Sequence, residues 1–220
     1  AYRVVVDTTR PQVDVVPPGA ENRVFSPNGD GNKDTFAIVQ SGTVEAEWEA
    51  EIVNASGRTV RTVRFVDSAP RDFVWDGRGD EGAIQPDGVY RYRIAAVDRA
   101  GNRASDELTN IILNTQSTPV ALLISSSEFS PNGDGRRDEL TIRPDVSSTV
   151  GVTSWTITVR SLAGGAVRSY TDIAGLPAPV TFDGRSDGGA MLEEGTYFAE
   201  LEVVYRNGNR PSAQSAEFTI

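Results

Sequence analysis

The chain has 220 residues, with 21 Lys and Arg against 31 Asp and Glu, and its formal net charge is −10. This balance argues against a nucleic-acid partner, because affinity for nucleic acid depends on Lys and Arg replacing counterions. The absence of Cys and His excludes disulfides, Ser-His-Asp and Cys-His catalysis, and His-ligated zinc or iron. No apolar run approaches the ~20 residues that a membrane span needs. An enzyme of this composition would have to work with carboxylates, Lys or Tyr alone. We expect a protein that is not an enzyme, with no membrane span in this part of the chain.

The chain opens with AYRVVVDTTRP, which lacks an initiating Met, a basic start and the apolar core of a signal peptide. Its RVVVDTT run, residues 3–9, aligns with NIILNTQ at 110–116 and with FTI at the chain's end, because Val6, Leu113 and Ile220 are equally spaced. This spacing predicts that residues 1–9 are the last strand of a preceding repeat or a linker, although a first strand that imitates one would give the same pattern. We therefore expect the chain to be a fragment of a longer protein.

Two long motifs occur twice. FSPNGDG begins at Phe25 and again at Phe129, and WDGRGD at Trp75 is matched by FDGRSD at Phe182. The second pair is spaced more widely than the first, which predicts a three-residue insertion before Trp155 that a surface loop tolerates. The sequence therefore predicts two modules of the same kind, residues 10–116 and 117–220.

The strands within each repeat show a period of two. In EAEWEAEIV, residues 45–53, Trp48, Ala50 and Ile52 share one face and three Glu residues the other. VYRYRIAAV, residues 89–97, alternates in the same way, and Gly- and Asn-rich turns separate the strands. This pattern predicts an all-β chain of two tandem immunoglobulin or fibronectin type III-like β-sandwiches, without the disulfide.

Each repeat resembles the immunoglobulin-like domain of the flagellar hook-capping protein family, and is similar to related modules at the C-termini of bacterial secreted and gliding-motility proteins. The resemblance rests on Phe25 to Asp34, Trp75 to Gly77, and Pro86 to Tyr90. The second repeat departs from the pattern at Phe182 and at Glu193-Glu194. The resemblance covers nearly the whole chain and implies an exported bacterial module, in the periplasm, at the cell surface or secreted.

The FSPNGDG runs also have the spacing of a calcium loop, in which oxygen ligands alternate and a Gly at position six allows the sharp turn. No Glu stands at position twelve, and two carboxylates per loop predict weak binding, with Kd in the ~10⁻⁴–10⁻³ M range of extracellular modules. The candidate Ca²⁺ ligands are Ser26, Asn28, Asp30, Asn32 through its carbonyl, and Asp34 in the first loop, and Ser130, Asn132, Asp134, Arg136 through its carbonyl, and Asp138 in the second.

The competing interpretation of these loops needs no metal. Asn and Asp side chains can bond to their own backbone, and Gly supplies positive φ, so the run can be a self-bonded turn. The RGD sequence at 78–80 is treated in the same way, because its counterpart RSD at 185–187 indicates a structural turn rather than a receptor motif.

The expected role is a structural spacer, assembly or adhesion unit that contacts other domains of the same chain. The alternative is a binding module for a carbohydrate or cell-surface polymer, with a protein or polysaccharide surface as partner. An exposed row of aromatic side chains would favour this alternative, whereas the outward residues of the predicted strands are mostly Glu, Arg and Thr.

Overall fold

The computed structural model describes residues 8–173 and 175–220. Residues 1–7 lie outside this description. They are most of the segment 1–9, which the sequence predicts to be the last strand of a preceding repeat or a linker. The fold class is confirmed: both parts of the chain are all-β. The chain divides into two compact units, with the boundary along the sequence between Gln116 and Ser117. Among the described residues, no helix is long and apolar enough to span a membrane.

The described residues of the first unit form a three-stranded sheet and a five-stranded sheet. The strands are β1 (Val13–Val16), β2 (Val24–Phe25), β3 (Phe36–Gly42), β4 (Glu45–Asn54), β5 (Thr59–Ser68), β6 (Phe73–Trp75), β7 (Gly88–Val97) and β8 (Arg103–Leu113). The sheet orders are β1-β3-β6 and β2-β8-β7-β4-β5. Neighbouring strands are antiparallel except for β2, which runs parallel to β8.

The second unit repeats this plan with a broken final strand. Its strands are β9 (Val120–Ile124), β10 (Leu140–Val146), β11 (Val152–Ser161), β12 (Ala166–Ile173), β13 (Val180–Phe182), β14 (Thr196–Tyr205), β15 (Ser212–Gln214) and β16 (Phe218–Thr219). The sheet orders are β13-β10-β9 and β12-β11-β14-β15, with β16 also paired to β14. The strands β15 and β16 together occupy the place of the continuous β8.

Each unit has its own hydrophobic core between its two sheets. In the first unit, Trp48 and Ile94 of the larger sheet meet Ile38 and Trp75 of the smaller one, and all four are at most 1% exposed. In the second, the core side chains include Trp155, Ile157, Leu201 and Phe182. The predicted alternation is confirmed, because Trp48, Ala50 and Ile52 are buried.

The predicted insertion lies in a surface turn. Two residues, 43–44, join β3 to β4, whereas five residues, 147–151, join β10 to β11. In the short turn, Trp48 Nε1 donates to the Thr43 carbonyl at 3.0 Å. Trp155 Nε1 is buried and has no acceptor within the described part of the chain. The longer turn therefore costs the second unit a hydrogen bond that the first unit has.

Candidate functional site

The loop that follows β2 is closed by its own backbone. The Ser26 N–H donates to the Lys33 carbonyl at 2.9 Å. Gly29 and Gly31 have φ of +81° and +84°, and Lys33 has φ of +49°. Left-handed backbone at the two Gly positions is accessible without a Cβ penalty, which explains why Gly stands there. Lys33 has a Cβ, and its conformation is held by the bond that closes the loop.

Asp34 is the main acceptor inside this loop. Its Oδ1 accepts the N–H of Gly29 at 2.7 Å, and its Oδ2 accepts the N–H of Gly31 at 2.8 Å. Bonds from backbone N–H groups to a carboxylate are charge-assisted and stronger than neutral ones. A single side chain thus fixes the two Gly residues that make the sharp turn.

Asn28 and Asp30 hold the outer part of the loop. The Asp30 N–H donates to Asn28 Oδ1 at 3.0 Å, and Asn28 Nδ2 donates to Asp30 Oδ2 at 3.0 Å. Asp30 Oδ1 in turn accepts the Asn32 N–H at 2.7 Å. These are side-chain to backbone turns of the kind that Asn and Asp form readily.

The second loop repeats these bonds. Asp138 accepts the N–H groups of Gly133 and Gly135, both at 2.7 Å, and the Asp134 N–H donates to Asn132 Oδ1 at 3.0 Å. The closing bond, from the Ser130 N–H to the Arg137 carbonyl, is 2.8 Å. The loop geometry therefore survives the change from Asn-Lys to Arg-Arg in the middle of the motif.

The structure brings some of the predicted ligands together and uses others differently. In each loop the Asn and the two Asp residues lie close enough to bond to one another or to the same short turn, whereas Ser26 is buried and Ser130 is exposed. Arg136 contributes its N–H, which donates to Asp134 at 2.8 Å. Within the described residues, no group of three or more Asp, Glu, His or Cys side chains could hold a metal ion. Calcium binding stays an expectation from the sequence.

The second repeated motif packs directly against the first, a relation that the sequence analysis missed. A Cβ added to Gly77 would lie 2.6 Å from Pro27 Cγ, and one added to Gly184 would lie 2.6 Å from Pro131 Cγ. Both Gly residues have positive φ, at +77° and +75°. The only hint in the sequence was that the two motifs recur together.

The aromatic residues of the motifs complete the contact. The rings of Phe25 and Trp75 are 5.3 Å apart, and those of Trp75 and Tyr90 are 5.0 Å apart. In the second unit the rings of Phe129 and Phe182 are 5.6 Å apart. Such tilted and edge-on pairs stabilise beyond their buried area. The motifs therefore form one continuous structural element at the end of each sandwich.

The Tyr of the third motif is fixed by the same bond in both units. Tyr90 donates its hydroxyl to the Pro86 carbonyl at 2.6 Å, and Tyr197 donates to the Glu193 carbonyl at 2.8 Å. A backbone acceptor explains why Glu can replace Pro there. Burial raises the pKa of the Tyr90 hydroxyl, so it stays a donor.

The RGD sequence forms part of a structural turn, as predicted. Asp80 donates its N–H to the Val60 carbonyl of the edge strand β5 at 2.9 Å and accepts the Thr62 N–H at 3.1 Å. Asp187 makes the same two bonds to Val167 and Ser169, at 3.0 and 3.1 Å. The acidic residue therefore covers part of a strand edge in each unit.

Charged side chains on the outer face of the larger sheets are paired across strands. Arg93 Nε lies 2.6 Å from Glu51 Oε2, and Arg160 Nε lies 2.6 Å from Glu200 Oε2. Burial alone would raise the pKa of Glu51, but hydrogen bonds from Arg93 and Thr59 lower it overall. These carboxylates are ionised partners in a polar outer surface.

The described part of the chain carries no exposed aromatic platform on this surface. Across residues 8–173 and 175–220, every aromatic side chain is buried or partly buried, and the large exposed apolar residues are Val, Ile, Leu and Met. Trp48 and Trp155 are 0% and 6% exposed, which confirms that they belong to the core, and Trp75 is buried as well.

Residues 19–110 match the family profile described as the CHU_C Type IX secretion signal domain. This match supports the predicted resemblance to C-terminal modules of secreted and gliding-motility proteins, while the hook-capping likeness remains an expectation. A comparison with curated protein sequences gives no match.

Among solved structures, the chain is similar to a 1.5-MDa bacterial ice-binding adhesin, with a TM-score of 0.50, 12% identity, and coverage of 97% of this chain and 65% of the other. It also aligns with a Ca²⁺-stabilised ice-binding adhesin of an Antarctic bacterium, at a TM-score of 0.45, 15% identity, and coverage of 97% and 49%. Fibronectin(III)-like modules of Clostridium thermocellum CbhA align at a TM-score of 0.38, 14% identity, and coverage of 93% of both chains.

The chain spans 50% of the length of a solved tetra-tandem repeat from the extending region of a large adhesion protein, and 65% of the length of the solved chain of the 1.5-MDa adhesin. The two packed sheets in each unit and their strand orders are those of a tandem immunoglobulin or fibronectin type III-like fold. The match of residues 19–110 to a secretion signal domain indicates that the protein is exported.

Proposed function

We propose that this chain is a non-catalytic pair of immunoglobulin-like modules in an exported bacterial protein, acting as a spacer, assembly or adhesion unit. The observation that carries the proposal is the match of residues 19–110 to a type IX secretion signal domain. Two independent cores and two internally bonded loops support it, because such units fold without help from neighbouring domains.

The state of the surface carboxylates supports a non-catalytic role. A depression on the outer face of the five-stranded sheet is lined by Glu49, Glu51 and Asp106 among others. Arg64 and Arg93 pair with the two Glu residues. Asp106 Oδ2 accepts the Val15 N–H at 2.7 Å. Acid–base catalysis needs carboxylates that can reach a substrate proton, whereas these three serve the fold.

Deletion of one unit at a time from the parent protein tests the proposal. We expect that removing residues 8–116 reduces the amount of the parent protein outside the cell, because the family match lies in this unit. Removing residues 117–220 should leave export intact. Cell fractionation and protease accessibility of an epitope tag measure the outcome. An export level that neither deletion changes would contradict a role of the first unit in export.

The carbohydrate-binding alternative is less well supported. Sugar-binding surfaces use aromatic faces, and the described residues present no exposed aromatic row. Glycan-array binding of the full chain provides the test. Binding to a defined polysaccharide that Glu49→Ala and Arg64→Ala weaken would replace the spacer role with a binding role.

A second candidate is weak stabilisation by calcium. The observation that favours it is that Asp30 and Asp34 turn their carboxylates into the same short loop. A carboxylate oxygen has more than one lone pair, so a backbone hydrogen bond does not use up its capacity as a ligand. If calcium binds, its ligands would be the oxygen set predicted from the sequence, with Asp134 and Asp138 in the second loop.

Thermal unfolding in calcium and in chelator distinguishes loops that bind calcium from loops that are only bonded to themselves. Tenfold excess of calcium over Kd would stabilise the folded state by about 1.4 kcal/mol if the loops bind it. Self-bonded loops predict coincident melting curves. Asp30→Asn provides the matched variant, because it keeps the turn's hydrogen-bond acceptor and removes the charge. A calcium-dependent shift that Asp30→Asn reduces would establish the metal site.

A further inference from the structure

The two loops contain a reactive dipeptide that the proposed function does not use. The chain has three Asn-Gly pairs, at Asn28, Asn132 and Asn207. In an Asn-Gly pair the backbone nitrogen of Gly can attack the side-chain Cγ of Asn, because Gly has no Cβ to obstruct the approach. The ring closes as a succinimide, the Gly nitrogen loses its proton and ammonia leaves. Water then opens the ring to Asp or isoaspartate.

The folded loop places the attacking nitrogen where this reaction is slow. The Gly29 N–H points at Asp34 Oδ1, with a nitrogen-to-oxygen distance of 2.7 Å. Attack requires the nitrogen to lose this proton and to direct its electron pair at Asn28 Cγ. The electron pair would instead face the carboxylate, whose negative charge disfavours an amide anion beside it.

The electrophilic side chain is held as well. Asn28 Oδ1 accepts the Asp30 N–H, and Asn28 Nδ2 donates to Asp30 Oδ2, both at 3.0 Å. Closing the succinimide ring would require the side chain to rotate toward Gly29, and both bonds would break. The second loop holds Asn132 through Asp134 in the same way.

We propose that Asn28 and Asn132 are deamidation sites at which the folded loops suppress the reaction, and that Asp34 and Asp138 are the residues that protect them. Both Asn side chains are exposed, so water reaches the succinimide once a loop opens. The product replaces an amide donor with a carboxylate beside Asp30 or Asp134. Like charges at this distance repel, so the modification weakens the loop that it enters. Because deamidation is irreversible, the fraction of converted Asn in each loop reports how often that loop has opened.

The test uses the full chain in mildly alkaline buffer, with deamidation at each Asn measured by peptide mapping and mass spectrometry. In denaturant, the three Asn-Gly sites should convert at similar rates. In the native wild type, conversion at Asn28 and Asn132 should be suppressed to the extent that hydrogen exchange shows the Gly29 and Gly133 amides to be protected.

The variants Asp34→Ala and Asp138→Ala make the test site-specific. Asp34 and Asp138 each accept two charge-assisted hydrogen bonds, and the loss of one such bond alone corresponds to about a tenfold change in loop opening. We therefore expect Asp34→Ala to raise conversion at Asn28 by at least about tenfold and to leave Asn132 at its native rate, with the reverse for Asp138→Ala.

Three results would overturn the proposal. The first is conversion of Asn28 in the native wild type at the denatured rate, which needs no variant. The second is slower conversion in Asp34→Ala, which would make Asp34 a base rather than a protecting residue. The third is equal acceleration at Asn28 and Asn132 in Asp34→Ala, which would mean that global unfolding controls the reaction.

Discussion

The two units have the same fold but fill the same core space with different side chains. In the first unit, Trp75 ends the short edge strand β6, and Ile111 lies at the position that aligns with Phe218. In the second unit these two positions are Phe182 and Phe218, whose rings are 6.0 Å apart. All four side chains are at most 1% exposed. The loss of the larger aromatic at one position is thus matched by a gain at the other, because close-packed interiors conserve volume rather than identity.

A buried polar pair changes in the same coordinated manner. In the first unit, the Tyr92 hydroxyl donates to Gln40 Oε1 at 2.6 Å, and both residues are buried. The corresponding positions of the second unit are Ala199 and Pro144. Replacing both partners by apolar groups costs little, whereas losing one leaves a buried polar atom unsatisfied.

The FSPNGDG loop, in contrast, keeps its bonds through both units. The acidic residue accepts the two Gly N–H groups at 2.7 and 2.8 Å in the first unit, and at 2.7 Å for both in the second. Between the two units, core residues therefore change in compensating pairs, whereas the residues that make the loop hydrogen bonds stay the same. The predictions that follow test this contrast.

The largest effect should come from the central Trp of either core. Trp48→Ala and Trp155→Ala should each lower the free energy of unfolding of their own unit by about 3–5 kcal/mol, because each leaves a large cavity. Urea unfolding of the full chain, followed by circular dichroism, measures the loss. A cost below about 1 kcal/mol would show that the Trp side chain does not fill the core.

A double-mutant cycle tests the exchange of volume. Trp75→Phe alone should cost about 1–3 kcal/mol, because it leaves a void and removes the Nε1 bond to the Arg78 carbonyl, 2.9 Å long. Adding Ile111→Phe should recover part of this loss, with a coupling of about 0.5–3 kcal/mol. Strictly additive costs in the urea titrations would show that the two positions do not compensate.

An effect of the same size is expected for the buried polar pair. Tyr92→Phe should cost about 1–3 kcal/mol, because it leaves Gln40 Oε1 buried without this donor. Burial raises the pKa of Tyr92, so the hydroxyl remains protonated through the alkaline range. Tyr90→Phe serves as the control, since its bond reaches a backbone carbonyl at the edge of the core. An unchanged unfolding midpoint for Tyr92→Phe would dispute the importance of the pair.

The smallest effect concerns pH. Hydrogen bonds from Gln214 and Arg160 lower the pKa of Glu200, and those from Arg93 and Thr59 outweigh burial to lower the pKa of Glu51. A lowered pKa means that the stabilisation is present above the unfolded value of 4.5 and is lost as pH falls through the folded value.

Glu51→Gln and Glu200→Gln should therefore flatten the decline of stability below about pH 4.5, each by about 0.2–1 kcal/mol, the range of partly exposed pairs. Unfolding midpoints at a series of acidic pH values measure this. Glu202→Gln, which removes a pair exposed on both sides, is the control. A decline as steep in both variants as in the wild type would contradict the assignment.

Much of this architecture could be predicted from the sequence because the strands alternate clearly and the chain contains its own repeat. The alternation of Trp48, Ala50 and Ile52 identified the buried face of their strand, and the recurrence of the motifs allowed the two units to be aligned. The contact of Gly77 with Pro27 could not be predicted, since it joins segments that are distant in the chain through backbone geometry. The partners of Asp34 were equally hidden, because a carboxylate near Gly residues suits a metal and a self-bonded turn alike.

The central claim is that the first unit directs export, and fusing it to a reporter protein tests this claim most directly. A fluorescent protein with a general export signal receives residues 1–116, 117–220 or 1–220 at its C-terminus in a bacterium that has type IX secretion. The account predicts that 1–116 and 1–220 carry the reporter out of the cell, and that a strain without the type IX pathway retains it. Retention of all three fusions in the competent strain, with both units folded, would contradict the proposed function.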